Sequence, residues 1–520
     1  MSKLLLKLCA ALVLLVPAVQ FCWQCRRMPE FGYLHDDAIL FVSAKSAAHG
    51  DYRIESLPEN PAQTKYPPLY PFYLSFIWRI DPHFPENLEL ATWFSFALLP
   101  PFLGLAWFYY RRELDEPRAW ILTALLAMNP YVILFGATMF SELFFTCWLM
   151  AVFLAIARPG TRMAVLAGLF AGCAYLSRTA GIVLLVSVPA LLLWKKETRR
   201  AAAFAAAMLP FVAGWMLWTR SHALHSSDPT LIYYTDYLGF QFLNVGANNF
   251  LNVLYINADR ILWAMGTLFL RDFLPNFAMD ILTHVVAVAM IVGVVRLVRR
   301  GIARQYAAFA LLSVGLLMVW HYPPTERFLL PLYPLLIAGL LTELEHLGQM
   351  IKAGFRHRDT GQRVAAGLIA ATAAGLCAIA VVLQLQFTLV DLRRQAEAQV
   401  QRFKELNAGY AWIEHNLPPS ATLLSYDDPL LYLYTGRHGN YLPIMPKWWY
   451  AEDYKSMAGA YKDLNAYCHQ RGLQYVYFTN NDLDREFGDS LRREVQQEVR
   501  TQPGLTPVHV TPQGTVYKVD

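Results

Sequence analysis

The sequence predicts a polytopic α-helical membrane protein with a small C-terminal extracytoplasmic α/β domain. Only 16% of its residues are charged and 56% are hydrophobic, whereas soluble proteins carry about 25% charged residues. The apolar residues are grouped in long runs, and the mean hydropathy is +0.30. The net charge of +5 comes from scattered positions, without a basic run interleaved with aromatics. Nucleic-acid binding is therefore excluded.

The apolar runs predict the membrane spans. A helix needs about 20 apolar residues to cross the hydrocarbon core, and about eleven segments meet this requirement. They lie near residues 4–21, 89–110, 119–137, 140–157, 163–177, 180–194, 201–219, 276–296, 305–320, 328–345 and 365–388. The first run resembles a signal peptide but lacks a small-residue cleavage site, so we expect it to remain as an uncleaved span.

Basic residues predict the orientation of the spans, because cytoplasmic loops carry an excess of Lys and Arg. If the N-terminus is cytoplasmic, the inward loops hold Arg111, Arg112 and Arg118; Arg162; Lys195, Lys196, Arg199 and Arg200; Arg296, Arg299, Arg300 and Arg304; and Lys352, Arg356, Arg358 and Arg363. An odd number of spans then places the C-terminal part outside. We expect a multi-pass protein of the cytoplasmic (inner) membrane.

This topology predicts two domains. Residues 1–390 form the transmembrane domain, with large external loops at 22–88 and 220–275, and residues 391–520 form the α/β domain. In the first loop, DDAILFVSAKSAAHG predicts an amphipathic interfacial helix ending at Gly50, and YPPLYP predicts an extended turn. The tail should contain helices near 391–416 and 482–499 and strands at ATLLSY, QYVYFTN, TPVHV and GTVYKV.

Asp36 and Asp37 are the first candidate functional residues. They are adjacent carboxylates in FGYLHDDAIL, just past the first span. Such a pair can supply a general base, ligate a metal or be an ordinary solvated pair of acids. The flanking aromatic and apolar residues favour a functional role, because they would draw the acids towards the membrane interface, where a charge is costly.

Three cations are predicted at the outer face. Lys65 precedes YPPLYP, Arg178 lies between two spans, and Arg327 lies in HYPPTERFLLPLYP. Each one alone fits a side chain that reaches towards lipid headgroups. Together they oppose the positive-inside bias and form a patch suited to phosphate.

Three further residues would support this patch. Glu142, at the outer end of a span, is either functional or the partner of one of these arginines. His321 is either a base or acceptor contact or an interfacial aromatic, and Tyr66 directly follows Lys65. The predicted cavity suits transfer of a group from a lipid phosphate to a hydroxyl, with cations stabilising the leaving phosphate and a carboxylate taking the proton.

The order of these motifs resembles the GT-C glycosyltransferase superfamily. HDDA, KYPPLYP and RFLLPLYP follow one another, and the tail has AWIEHNLPPSATLLS followed by DDPLLYLYTGR. The chain looks most like bacterial relatives of the protein O-mannosyltransferases and lipid A aminoarabinose transferases.

The resemblance implies an inverting transfer of a hexose or pentose from a polyprenyl-phosphate donor to a lipid, glycan or protein acceptor. It implies Asp36 or Asp37 as the catalytic acid of the first loop, and Lys65 and Arg327 at the donor phosphate; Arg178 and Glu142 match looser features. Some relatives bind a divalent cation near the acidic pair, so a metal on Asp36 and Asp37 stays open.

A transporter or flippase of lipid-linked sugars is the alternative function. Transporters have repeated halves and ionisable groups near the bilayer midplane, whereas the candidate acids of this sequence lie outside the spans. A membrane-anchored scaffold that binds a partner through its tail would leave the outer charges unexplained.

Overall fold

The computed structural model describes residues 3–224, 226–236, 239–240, 245–270, 275–357, 359–484 and 487–520. Arg358, parts of the predicted loop 220–275 and two positions of the predicted helix 482–499 lie outside the described residues.

Helices form most of the chain up to residue 416. They are α1 Lys3–Gln24, α2 Asp36–Ala48, α3 Leu69–Ile80, α4 Leu88–Phe96, α5 Leu99–Glu113, α6 Glu116–Ala127, α7 Pro130–Phe135, α8 Ser141–Ile156, α9 Thr161–Ser177, α10 Leu184–Trp194, α11 Thr198–Ser221, α12 Pro229–Thr235, α13 Phe250–Thr267, α14 Asn276–Arg299, α15 Arg304–Met318, α16 Glu326–Leu329, α17 Tyr333–Arg356, α18 Thr360–Gln386 and α19 Leu392–Asn416. A π-helical turn, Phe387–Asp391, joins α18 to α19 without a break.

The predicted polytopic helical fold is confirmed. Among the described residues, six helical segments are long and apolar enough to cross a membrane, and four shorter apolar helices accompany them. One predicted span, 119–137, is instead divided into α6 and α7. The side chain of Asn129 caps α7 by accepting the N–H groups of Tyr131 and Val132, at 3.0 and 3.2 Å. Pro130 follows at the first helical position, where its missing N–H costs nothing.

Two predictions for the first external loop are wrong. The helix expected to lie at the interface exists as α2, but nine of its residues are buried. It packs against both α3 and the C-terminal domain, so its apolar residues are buried within the protein. The YPPLYP segment is not fully extended, because α3 already begins at Leu69. Pro71 fits within its first turn, where backbone N–H groups have no helical partner.

The basic loops gather at one end of the helix bundle. Arg112 hydrogen bonds to the carbonyl of Ala157, and Arg200 to that of Ile156. In the same region Arg118 pairs with Glu345 at 2.7 Å. Since α8 ends at this side of the bundle, its first residue, Ser141, lies at the opposite end.

The C-terminal domain contains a five-stranded sheet. Its strands are β1 Thr422–Ser425, β2 His438–Asn440, β3 Tyr475–Thr479, β4 Leu505–Val510 and β5 Gly514–Val519. The strand order is β2-β1-β3-β5-β4, with β1 parallel to β2 and β3, and β5 antiparallel to β3 and β4. The four predicted strands are β1, β3, β4 and β5, whereas β2 was not predicted.

Helices surround this sheet. They are α20 Asp428–Thr435, α21 Pro446–Tyr450, α22 Tyr454–Gly459, α23 Leu464–Arg471 and α24 Asp489–Thr501. The predicted polar helix near 482–499 therefore begins later, at Asp489.

The C-terminal domain is docked onto both predicted external loops, the segments 22–88 and 220–275. Gly439 donates its N–H to the carbonyl of Ser56 in the first loop at 2.8 Å. Arg471 contacts Glu59 of the same loop at 2.7 Å and Asp228 of the second loop at 3.5 Å. These contacts hold the domain over the end of the bundle that lies opposite the basic loops.

Candidate active site

A cavity of about 480 Å³ lies where the segments 22–88 and 220–275, the helix ends and the C-terminal domain meet. Six of the residues singled out in the sequence line it: Asp36, Lys65, Tyr66, Arg178, His321 and Arg327. Arg178 follows α9, and Arg327 lies in α16. Asp37 and Glu142 are not among the lining residues; both are buried behind them.

Asp36 is the carboxylate of the cavity. Its Oδ2 lies 2.8 Å from Nη1 of Arg327, and its Oδ1 accepts the hydroxyl proton of Tyr66 at 2.5 Å. Burial alone would raise the pKa of Asp36, but the charges of Arg327 and Lys65 and the bond from Tyr66 hold this pKa well below its usual range. Asp36 is therefore ionised and held in place from two sides.

Asp37 has a different environment. Its Oδ2 accepts the N–H of Gly32 at 2.9 Å, and its Oδ1 accepts its neighbour's N–H, that of Ala38, at 3.0 Å. Burial raises the pKa of Asp37 to about 6 although these bonds oppose the shift. These contacts hold Asp37 against the backbone, whereas Asp36 lines the cavity.

Glu142 links two of the predicted phosphate-binding cations. Its side chain is fully buried at the start of α8, and its Oε1 accepts hydrogen bonds from both Arg327 and Arg178. The contact with Arg178 measures 2.6 Å. The expected pairing of Glu142 with an arginine is thus found with both, and Glu142 fixes the spacing of the two guanidinium groups.

Lys65 is held by an aromatic ring. Its Nζ lies 3.4 Å from the ring centroid of Tyr233 in α12, a favourable position for a cation. Within the described part of the chain, Lys65 has no carboxylate at salt-bridge distance. Burial lowers the pKa of Lys65 to about 8, although Asp36 and Asp428 oppose the shift.

His321 lines the cavity as a neutral imidazole. Burial lowers its pKa to about 3, and the nearby charge of Lys65 acts in the same direction. Its Nδ1 is buried and finds no hydrogen-bond partner among the residues that the structure describes. Rings of Trp320 and Phe240 surround it.

The two carboxylates of the acidic pair do not face one common position, because Asp36 lines the cavity while Asp37 is bonded to the backbone N–H of Gly32. Both oxygens of Asp36 and both oxygens of Asp37 are already engaged by protein donors. Across the described ranges, no group of three His, Cys, Asp or Glu side chains is arranged to hold a metal. We therefore derive no chemical step through a metal ion.

Sequence reasoning missed the aromatic residues of α12 and an acid of the C-terminal domain. Tyr233 contacts Lys65, while Tyr234 donates a hydrogen bond of 2.6 Å to Asp428. Asp428 begins α20, inside the DDPLLYLYTGR stretch that carries part of the family resemblance. A second acidic pair directly after a buried strand was the available signal.

Comparison with solved structures identifies the architecture. The crystal structure of ArnT from Cupriavidus metallidurans bound to undecaprenyl phosphate matches with a TM-score of 0.54 at 13% identity, covering 100% of this chain and 99% of that chain. The chain has the fold of ArnT. The apo structure of ArnT matches with a TM-score of 0.50 at 12% identity over 93% of both chains.

ArnT is a lipid A aminoarabinose transferase of the GT-C superfamily, so the expected resemblance is confirmed at the level of the fold. The oligosaccharyltransferase of Archaeoglobus fulgidus, solved with Zn and sulfate, matches with a TM-score of 0.48 at 13% identity, covering 86% of this chain and 64% of that chain. No family model and no curated protein sequence matches the chain.

Proposed function

We propose that the protein is an integral membrane glycosyltransferase that moves a monosaccharide from a polyprenyl-phosphate carrier to an acceptor outside the cytoplasmic membrane. The observation that carries this proposal is the cavity in which Asp36 faces Arg327 at 2.8 Å, with Lys65 and Arg178 in the same lining. The ArnT-like fold supports it, and one solved ArnT holds undecaprenyl phosphate.

The charges of the site suit a phosphate donor. Among the described residues that line the cavity, Lys65, Arg178 and Arg327 are cations, and Asp36 is the one carboxylate. A sugar linked through a phosphodiester carries one negative charge, and its departure leaves a more highly charged phosphate monoester. Cations already fixed in a buried site stabilise that developing charge without having to reorganise.

Asp36 is the proposed general base. In the transfer, the acceptor oxygen bonds to the anomeric carbon as the carbon–oxygen bond to phosphate breaks, and the acceptor proton passes to Asp36. Attack from the face opposite the phosphate inverts the anomeric configuration. A phosphate that draws hydrogen bonds from Arg327 would weaken its contact with Asp36, which makes Asp36 more basic when donor is bound.

Tyr66, His321 and Asp37 have supporting roles in this proposal. Tyr66 orients Asp36 through its hydrogen bond, and neutral His321 contributes a polar contact for the acceptor. Asp37 shapes the turn that presents Asp36, through its bond to Gly32. We further propose that residues 1–390 form the catalytic domain and residues 391–520 an extracytoplasmic domain, with the N-terminus in the cytoplasm.

Release of free polyprenyl phosphate from a panel of polyprenyl-phosphate sugars tests this function. We expect purified wild-type protein to release it from one donor, and the Asp36→Ala/Asp37→Ala variant to be inactive at normal expression. Asp51→Asn, at an exposed position of the same external loop, is the matched control and should keep wild-type release. Tight binding of these lipids without release from any donor would instead indicate a transporter of lipid-linked sugars.

A further inference from the structure

His35, directly before Asp36, is joined to two distant parts of the chain. Its Nε2 lies 2.8 Å from the hydroxyl oxygen of Tyr234 in α12. The same hydroxyl donates to Oδ1 of Asp428 in the C-terminal domain at 2.6 Å. All three side chains are buried. The first external loop, the second external loop and the C-terminal domain therefore meet at one hydroxyl group.

The hydroxyl of Tyr234 is the centre of these contacts. A phenol oxygen can donate one hydrogen bond and accept others, so one hydroxyl group can bond to both Asp428 and His35. The imidazole is oriented by its contact with Tyr234, since rotation of the ring would leave a buried polar atom without its partner.

The backbone of His35 is strained. Its φ of 65° and ψ of −43° lie in a region that residues with a side chain rarely adopt. Such a conformation persists only where its surroundings impose it. The His35 ring packs 5.2 Å from the ring of Tyr441 and 6.1 Å from that of Tyr233, measured between centroids. The strained residue leads directly into α2, whose first residue is Asp36.

We propose that Tyr234 and Asp428 form a clamp on His35 that sets the position of the Asp36 carboxylate in the cavity. His35 is a positioning residue in this scheme, because it acts through Asp36. The C-terminal domain thereby becomes part of the active site, since docking brings Asp428 to the clamp. This inference rests on the proposed function of Asp36.

The same short helix also positions a cation of the site. Tyr233 of α12 lies under Lys65, and the adjacent Tyr234 holds His35. Through two consecutive tyrosines, α12 therefore fixes the proposed phosphate-binding lysine and the proposed base relative to each other.

Kinetics of the full-length Tyr234→Phe variant test the clamp. This change removes one hydroxyl and keeps the ring, so we expect kcat to fall by about tenfold or more, with KM for the lipid donor unchanged. Tyr467→Phe is the matched control, because the hydroxyl of Tyr467 bonds to Thr230 of α12 and Asn440 of β2 without touching His35. It should keep the wild-type kcat.

A pair of His35 variants supplies a second test. In His35→Gln, the side-chain amide can still reach Tyr234 with a polar group, whereas His35→Ala has none. We expect Gln to retain several times more kcat than Ala. Equal losses for Gln and Ala, or a wild-type kcat in Tyr234→Phe, would overturn the proposal, and so would an equal loss in Tyr467→Phe.

Hydrogen–deuterium exchange separates the clamp from the proposed reaction. We expect Tyr234→Phe to increase exchange in the segment 31–40, and Tyr467→Phe to leave it unchanged. If the wild-type protein releases no polyprenyl phosphate, the proposed function fails while this measurement still tests the clamp. Unchanged exchange in Tyr234→Phe would overturn the clamp, even for an active enzyme.

Discussion

The carboxylates of Asp36 and Asp37 have different partners although the residues are adjacent in the chain. Asp36 meets Arg327 at 2.8 Å in the cavity, whereas Asp37 accepts the N–H of Gly32 at 2.9 Å. Both lie in the first turn of α2. Because successive residues of an α-helix are turned by about 100° about its axis, only one of two adjacent side chains can face the cavity.

Single substitutions should separate the two acids. Asp36→Asn should lower turnover by about 100-fold or more, since it removes the proposed base. Asp37→Asn should lower turnover less than tenfold and cost about 1–3 kcal/mol of stability, because an amide group that cannot accept replaces one buried oxygen. Turnover and thermal unfolding of both variants give the comparison. Equal losses of turnover at equal stability would contradict the assignment of Asp36 as the base.

Glu142→Gln should destabilise the protein strongly. It removes the charge that two guanidinium groups share, and loss of one partner of a buried ion pair costs about 3–5 kcal/mol. Glu343→Gln is the control, since Glu343 pairs with Arg296 at 3.0 Å at the other end of the bundle, where both side chains are partly exposed. That change should cost about 0–1 kcal/mol. Similar shifts of the unfolding midpoint in both variants would argue against a special role for Glu142.

Donor binding should weaken as the pH rises through about 8, because Lys65, with its pKa lowered to about 8 by burial, then loses its charge. A bound phosphate moves this midpoint upwards. Asp428, whose pKa burial raises to about 8, becomes negatively charged in the same range. This charge partly opposes the loss of the positive charge on Lys65. The Kd for a polyprenyl phosphate, measured across this range, should rise for wild type and stay flatter for Lys65→Arg, since arginine keeps its charge. Parallel curves would remove Lys65 from the phosphate site.

Asp482 should make the C-terminal domain less stable at high pH. Burial raises the pKa of Asp482 from 3.8 to about 8, although hydrogen bonds from Thr479 oppose the shift. The folded state therefore holds a proton that the unfolded state has released. This stabilisation is complete below about pH 4 and disappears as the pH rises through about 8. The midpoint of thermal unfolding should fall over this range and fall less in Asp482→Asn; an identical slope in both proteins would contradict this account.

Reporter fusions test the proposed orientation. A periplasmic reporter such as alkaline phosphatase should be active after Asp520, and a cytoplasmic reporter should be active after Lys196. The opposite pattern of activity would reverse the topology. It would also move the proposed reaction to the cytoplasmic face.

The sequence predicted elements that have a clear period or a clear apolar run. The last strands and the helix α19 fall in this class, whereas α13 was missed because Asn257, Asp259 and Arg260 interrupt its apolar residues. The first-loop helix was predicted at the right place but with the wrong surroundings, because a local pattern does not show that the C-terminal domain covers it.

The candidate residues were predictable, but their contacts were not. Asp36, Lys65 and Arg327 could be identified because a charged residue among aromatic residues near a membrane span is costly. The bond between Asp36 and Arg327 joins residues 291 positions apart, a relation that only the fold determines. Asp428 was overlooked because its role depends on docking of the domain onto Tyr234.

The π-helical turn at Phe387–Asp391 sets the angle at which the C-terminal domain faces the membrane part. It lies inside one unbroken helix that runs from Thr360 to Asn416, so a rotation on one side of the turn is passed to the other. A π turn takes up one more residue than an α turn, and each residue gained or lost rotates the rest of the helix by about 100°. The number of residues in the π-helical turn is therefore constrained as well as their identity. A deletion of one residue there would leave the cavity residues of the membrane part in place and still carry Asp428 away from them.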